Sequence, residues 1–271
     1  MIQRAIPYYS ILALLLATST AWADDGDVDI VGPTGRSSIA ITDANFNYRN
    51  DQILQGTSQQ AGDGHQTENT LTVSGIYAVN DRVSISAALP WNLSDSYTFN
   101  WQGNSQTTNN TGVGDALGVS AILLNNTGQG FKMVGSVGTD RSAGLGATYY
   151  AAIQPQYRFD NALLLTSNFG VQHQTGFNGS EYANLNLVWR VTPSLTIVPS
   201  IGLMHIEGAH TYSGYYSRTA EIAATYHVNY NWAVSASATW SGQSTQTTDV
   251  YSNDIANGRY YNLAVGVRRW F

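Results

Sequence analysis

The most constraining feature of this chain is a period-two alternation of apolar and polar residues that recurs about twelve times. "NTLTVSGIYAV" (69–79) sets Leu71, Val73, Gly75, Tyr77 and Val79 on one side. "VSISAALPW" (83–91) sets Val83, Ile85, Ala87, Leu89 and Trp91 against Ser84, Ser86 and Ala88. The same pattern runs through 37–49, 112–124, 131–140, 147–159, 162–174, 181–190, 195–205, 215–228, 232–240 and the C-terminal stretch. Successive side chains of a strand point to opposite faces, so each segment separates two different surroundings. A helix cannot use this pattern. Charged residues are only 11% of the chain, against about 25% in ordinary soluble domains. Yet beyond the leader no apolar run reaches the roughly 18 residues of a helical span. Few charges, many aromatics, 26 glycines and alternating segments together predict an all-β, closed antiparallel transmembrane β-barrel of about 12 strands, with 10 or 14 as the neighbouring counts.

The connections alternate as well. Short ones lie at 80–82, 125–130, 160–161, 191–194 and 229–231, and the longest at 50–68, 92–111 and 241–258. Short periplasmic turns and longer extracellular loops orient a bacterial barrel. In that orientation Tyr77, Phe131, Tyr157, Phe159, Trp189, Tyr226, Trp232 and Phe271 form an outward belt near the turns. Phe46, Tyr48, Trp91, Tyr149, Tyr216, Trp240 and Tyr261 form a second one near the loops. Two aromatic belts around an apolar band are interface anchors, whereas a soluble sandwich gives no reason for belts at both strand ends.

Residues 1–23 read as a signal peptide: Arg4, the apolar "ILALLLA", then Ala21 and Ala23 at a small-residue cleavage motif. Residues 24–36 would be an N-terminal periplasmic segment and 37–271 the barrel, placed in the outer membrane. Arg4 is one of 12 basic residues against 18 acidic ones, so the chain after the leader is acidic. With no basic run it is not expected to bind nucleic acid. There is no cysteine, which excludes disulfides and thiol chemistry.

The expected inward register is small and polar, with Ser74, Ser84, Ser86, Ser120, Ser136, Gln156, Thr166, Asn186, Ser235, Ser237 and Asn262 among its members. About twelve strands lined this way should enclose water, unless an inward loop or "DDGDVDIVGPTG" fills the space. Lys132, Arg158, Arg190 and Arg268 are expected to point inward near the turns, with Glu221, Asp43 and Asp140 higher. A basic ring would favour anions; the alternative is that these cations bind turn carbonyls or nearby carboxylates. No catalytic residues or cofactor are expected, and no metal site, because His65, His205, His210 and His227 are scattered with no cysteine partner and no ligand spacing.

Three resemblances follow from short motifs. The ending "VGVRRWF" resembles the C-terminal signal of bacterial outer-membrane proteins, which implies recognition of Phe271 by the barrel-assembly machinery; Arg269 departs from that pattern. "LTVSGIYAVNDRVSISAALPW", the "GVGD" at 112–115 and "VTPSLTIVPSIGL" resemble the meta-pathway phenol-degradation family of outer-membrane proteins. That resemblance implies a barrel channel for small organic solutes, whose partners would be outer-membrane lipid and a small-molecule solute, aromatic or acidic. "GVQHQTG" (170–176) resembles the catalytic stretch of outer-membrane phospholipase A, with His173 as base. Thr175 stands where that enzyme has serine, and Gly176 where it has asparagine. The expected function is thus a passive or gated channel. A phospholipase-like barrel enzyme and a structural or adhesive barrel are the alternatives.

Overall fold

The fold is taken from a computed structural model that describes residues 35–55, 59–101, 104–109, 111–126, 130–141, 146–175, 179–207, 214–243, 246–248 and 253–271. The expected leader (1–23) and most of the 24–36 segment lie outside these residues. In chain order the strands are β1 (Ser38–Gln55), β2 (Gln59–Ala78), β3 (Val83–Trp101), β4 (Asn104–Asn109), β5 (Gly112–Val113), β6 (Asp115–Asn126), β7 (Phe131–Arg141) and β8 (Thr148–Arg158). They continue with β9 (Leu163–Gln174), β10 (Gly179–Thr192), β11 (Leu195–Ile206), β12 (Tyr215–Asn229), β13 (Trp232–Gln243), β14 (Gln246–Thr248) and β15 (Asn253–Trp270). No helix occurs among the described residues.

Twelve of these strands form a closed antiparallel barrel. Each pairs with its neighbour in sequence, and β1 pairs with β15 from Ser38↔Trp270 to Gln55↔Asn253. Closure leaves no unpaired barrel edge for water or lipid to satisfy. The short strands β4, β5 and β14 are accessory and pair with β3 or β15.

The turns at one end are built by side chains that replace missing backbone partners. Asn80 Oδ1 accepts the amides of Arg82 (2.8 Å) and Val83 (2.9 Å). Asp160 Oδ1 accepts those of Ala162 (2.7 Å) and Leu163 (2.8 Å). Asn229 Oδ1 accepts the amide of Asn231 at 2.9 Å. Gly130 adopts φ 67°, a left-handed conformation that glycine takes without a Cβ clash. Both barrel termini lie at this end: the Phe271 amide donates to Ser37 O (2.9 Å), and Arg36 lies 4.1 Å over the Tyr230 ring.

Most of the outward register is as expected. Tyr77, Tyr157, Phe159, Trp189, Tyr226, Trp232 and Phe271 are exposed at the turn end, and Trp91, Tyr149, Tyr216, Trp240 and Tyr261 at the other. Between them stand exposed Ile85, Val119, Ile153, Ile201, Leu263 and Val265. Arg269, out of place in the terminal pattern, lies 5.4 Å over Trp232 and 4.9 Å over Phe271. Its charge rests on aromatic faces in the belt.

Strand β1 corrects the expectation. Phe46 and Tyr48 point inward and are buried, where they were expected in the outer belt. Asp43 points outward, in register with Ile39 and Ile41, where it was expected in the lumen. The two isoleucines sit in the apolar band and set the parity, and a one-residue change of parity exchanges the faces of a whole strand. The long connections also differ. Much of 50–68, 92–111 and 241–258 is strand: β1 and β2 continue their pairing to Gln55↔Gln59, and β3 continues to Trp101.

Candidate functional site

The candidate site is the lumen. Its walls are unequal. On the β11–β13, β15 and β1 side the inward positions are small: Ala40, Thr42, Ala223, Ser235, Ser237 and Ala264 line a hollow, with Arg268 at its turn-end margin. On the β7–β10 side large side chains lie across the wall. Tyr150 covers Gly138, its directly paired neighbour, and Tyr182 covers Gly170 in the same way. A Cβ at either glycine would collide with the tyrosine ring. These glycines let the phenols lie flat along the wall instead of crossing the lumen.

The four cations named from sequence all occupy the inward register. Lys132 is the second residue of β7, Arg158 the last of β8, Arg190 lies near the end of β10, and Arg268 near the end of β15. Each is close to the turn end, and they come from four different strands. Arg268 is buried and its guanidinium lies 5.9 Å from the Trp270 ring. Asp140 and Glu221 are also inward and lie farther from the turns. Asp43, as described above, belongs to the outer face.

Two lumen carboxylates escaped the sequence reading. Glu68 on β2 and Asp95 on β3 are buried and directly opposite one another. Gln66 Nε2 donates to Asp95 Oδ1 at 2.8 Å, and Thr70 Oγ1 donates to Glu68 Oε1 at 2.7 Å. They fall in segments read as loops. The available signal was "HQTENT", where Gln66, Glu68 and Thr70 carry the alternation of β2 upward without a hydrophobic residue. On β3 a register shift at Asn69/Thr70 breaks the count, so Leu93 is exposed while Asp95 faces inward. Phe46, Tyr48 and Tyr260 form a buried aromatic cluster beside this wall, with the Phe46 and Tyr260 rings 5.3 Å apart.

The residues with a hydrolase-like spacing are arranged differently from a catalytic pair. His173 is on the outward face of β9. The Thr175 hydroxyl donates to the Ala147 carbonyl at 3.1 Å, so its proton is directed to backbone and not to the imidazole. Among the described residues no group of three or more His, Cys, Asp or Glu side chains converges on a possible metal position.

No protein-family model matches the chain, and no curated protein matches it in sequence. Solved structures do. The translocator domain of the autotransporter NalP from Neisseria meningitidis superposes with TM-score 0.60 at 15% identity, covering 97% of this chain and 98% of that one. A COG4313 outer-membrane channel from Pseudomonas putida F1 gives TM-score 0.56 at 10% identity, with 91% and 98% covered. The NanC porin gives 0.51 at 11% identity, with 83% and 98% covered. At these identities the likeness is one of fold, and the fold is that of outer-membrane β-barrels.

Proposed function

We propose that this chain resides in the outer membrane and conducts small solutes through its lumen, acidic or aromatic ones in particular. The observation that carries the reading is the contrast between its faces: aromatic belts and an apolar band outside, and small or polar side chains around a hollow inside. Channels and porins among the structures of the same fold support it, as does the resemblance to the phenol-degradation family. The preference for acidic solutes rests on Lys132, Arg158, Arg190 and Arg268. Charges of one sign around a narrow aqueous passage are screened only over the roughly 8 Å Debye length of physiological salt, and such rings set selectivity.

The test is the reversal potential of the purified protein in a planar bilayer across a salt gradient. The parent should conduct and prefer anions, despite its negative net charge. Replacing all four cations with glutamine should lower or reverse that preference. A cation-selective parent, or a quadruple variant with the parent's reversal potential, would make these residues structural anchors. A silent bilayer would remove the channel reading itself.

A further inference from the structure

We propose that Arg218, Arg259 and Arg49 form a docking site on the outside of the barrel for the phosphorylated disaccharide headgroup of an outer-leaflet glycolipid. The inference rests on the outer-membrane placement proposed above and is independent of conduction.

The three arginines share one row of directly paired residues. Arg218 on β12 pairs with Gly242 on β13, and Gly242 with Arg259 on β15. Arg259 pairs with Arg49 on β1, and Arg49 with His65 on β2. The three arginines and His65 are all exposed, and no acidic residue stands in the row between them. At Gly242 the row has no side chain, and the Trp240 ring lies against that position, where an added Cβ would sit 3.3 Å from Cη2.

This charge is a local concentration. The chain has 12 Lys and Arg against 18 Asp and Glu, so three arginines in one row are not the background of a basic surface. Like charges set directly opposite one another destabilise a sheet, and Arg49 and Arg259 are such a pair. A bound anion offsets that repulsion. Asp63, two residues beyond His65, accepts a hydrogen bond from Asn100 Nδ2 at 2.6 Å. Arg49 and Arg259 also have partners within the protein. A guanidinium has five donors, so such a contact can fix the side chain while other donors serve a ligand.

The height of the row on the barrel selects the ligand. It lies at the loop end, which is the extracellular end of a bacterial barrel. Arg259 is two residues beyond the exposed belt residue Tyr261, and Gly242 two beyond Trp240, while Arg218 is two residues inside Tyr216. Side chains at the belt meet lipid headgroups, whereas a soluble acidic partner would dock above them. Neighbouring strands stand about 4.8 Å apart. Arg49 and Arg259 are therefore close enough to share one phosphate, which arginine binds through paired N–H donors. Arg218, two strands from Arg259 and thus roughly 10 Å away, is placed for a second phosphate. A disaccharide carrying two phosphates spans such a row, and a phospholipid with one phosphate engages only part of it.

The experiment is native mass spectrometry of the folded protein in detergent, titrated with bisphosphorylated lipid A, with its dephosphorylated form, and with phosphatidylglycerol. Lipid A should bind most tightly, and either loss of its phosphates or use of the phospholipid should weaken binding about tenfold. The double variant Arg49→Gln, Arg259→Gln should lose a similar factor. Arg82→Gln with Arg269→Gln removes two charges at the opposite end and should change nothing. If the double variant does not fold, Arg218→Gln alone should still weaken binding severalfold. Equal binding of the two lipid A forms, or binding of phosphatidylglycerol as tightly as lipid A, would overturn the proposal. So would parent-like binding by the folded double variant, or by Arg218→Gln where that variant replaces it. A parent that does not insert into lipid vesicles would overturn the membrane placement and the docking site together; a parent that inserts but does not distinguish the lipids overturns the site alone.

Discussion

The outer faces of β13 and β1 face the same surroundings and are built differently. Strand β13 shows Trp232, Val234, Ala236, Ala238 and Trp240 outward: an aromatic residue at each end and apolar residues between. Strand β1 starts the same way, with exposed Ile39 and Ile41, then turns polar with Asp43, Asn45, Asn47 and Arg49. Asn47 Nδ2 donates to Asn45 Oδ1 at 2.9 Å, a hydrogen bond made along the outside of the barrel. Asp43 is flanked by Leu71 on β2 and Val265 on β15. A strand bonded on both sides by backbone keeps its place even when part of its outer face disagrees with the solvent. The full pairing of β1 with β2 and β15 carries this exception, and β13 shows the rule it departs from.

The largest effect should come from charging the regular face. Arginine at outward Ala236 should cost roughly 2–4 kcal/mol of barrel stability, because a guanidinium near the bilayer midplane loses its hydration. Arginine at the adjacent inward Ser235 should cost much less. Denaturant unfolding of both variants in lipid vesicles measures the difference. Equal costs would mean that the two registers do not face lipid and water as described.

A smaller effect should come from repairing the irregular face. Asp43→Leu should raise stability by about 1 kcal/mol in the same assay, since acidic residues on the lipid face cost less than basic ones. Ala236→Asp should lower it by a comparable amount. A destabilised Asp43→Leu variant would show that the carboxylate has a partner on the outer face.

The sequence made the closed barrel, its twelve strands and the direction of its turns legible, for a physical reason. Lipid and water reward opposite side chains, and a strand alternates between them every residue. The turn residues Asn80, Asp160 and Asn229 were legible because their side chains close the turns themselves. The lower lumen was legible too: Lys132, Arg158, Arg190 and Arg268 lie on strands whose outer faces are apolar, so parity could be counted from one face to the other. The upper lumen was not. There both faces become polar as β1, β2 and β3 rise past the belt, and alternation loses its contrast. Glu68 and Asp95 fell into presumed loops for that reason. Phe46 and Tyr48 resembled belt residues because an aromatic near a strand end fits either face. Only the pairing of β1 with both neighbours decides which face they occupy.

The central claim is that the lumen is the path of conduction, and the absence of cysteine from the chain allows a direct measurement of it. A single cysteine placed at Ser235, on the wall of the hollow, or at Ala236, on the lipid face, gives one reactive thiol per chain at adjacent positions on opposite sides of the wall. Single-channel current is recorded while a charged methanethiosulfonate reagent is added. Modification at position 235 should cut the current, and the same reagent should leave the current of the position 236 variant unchanged. A current indifferent to modification at 235, or reduced equally at both positions, would contradict the account.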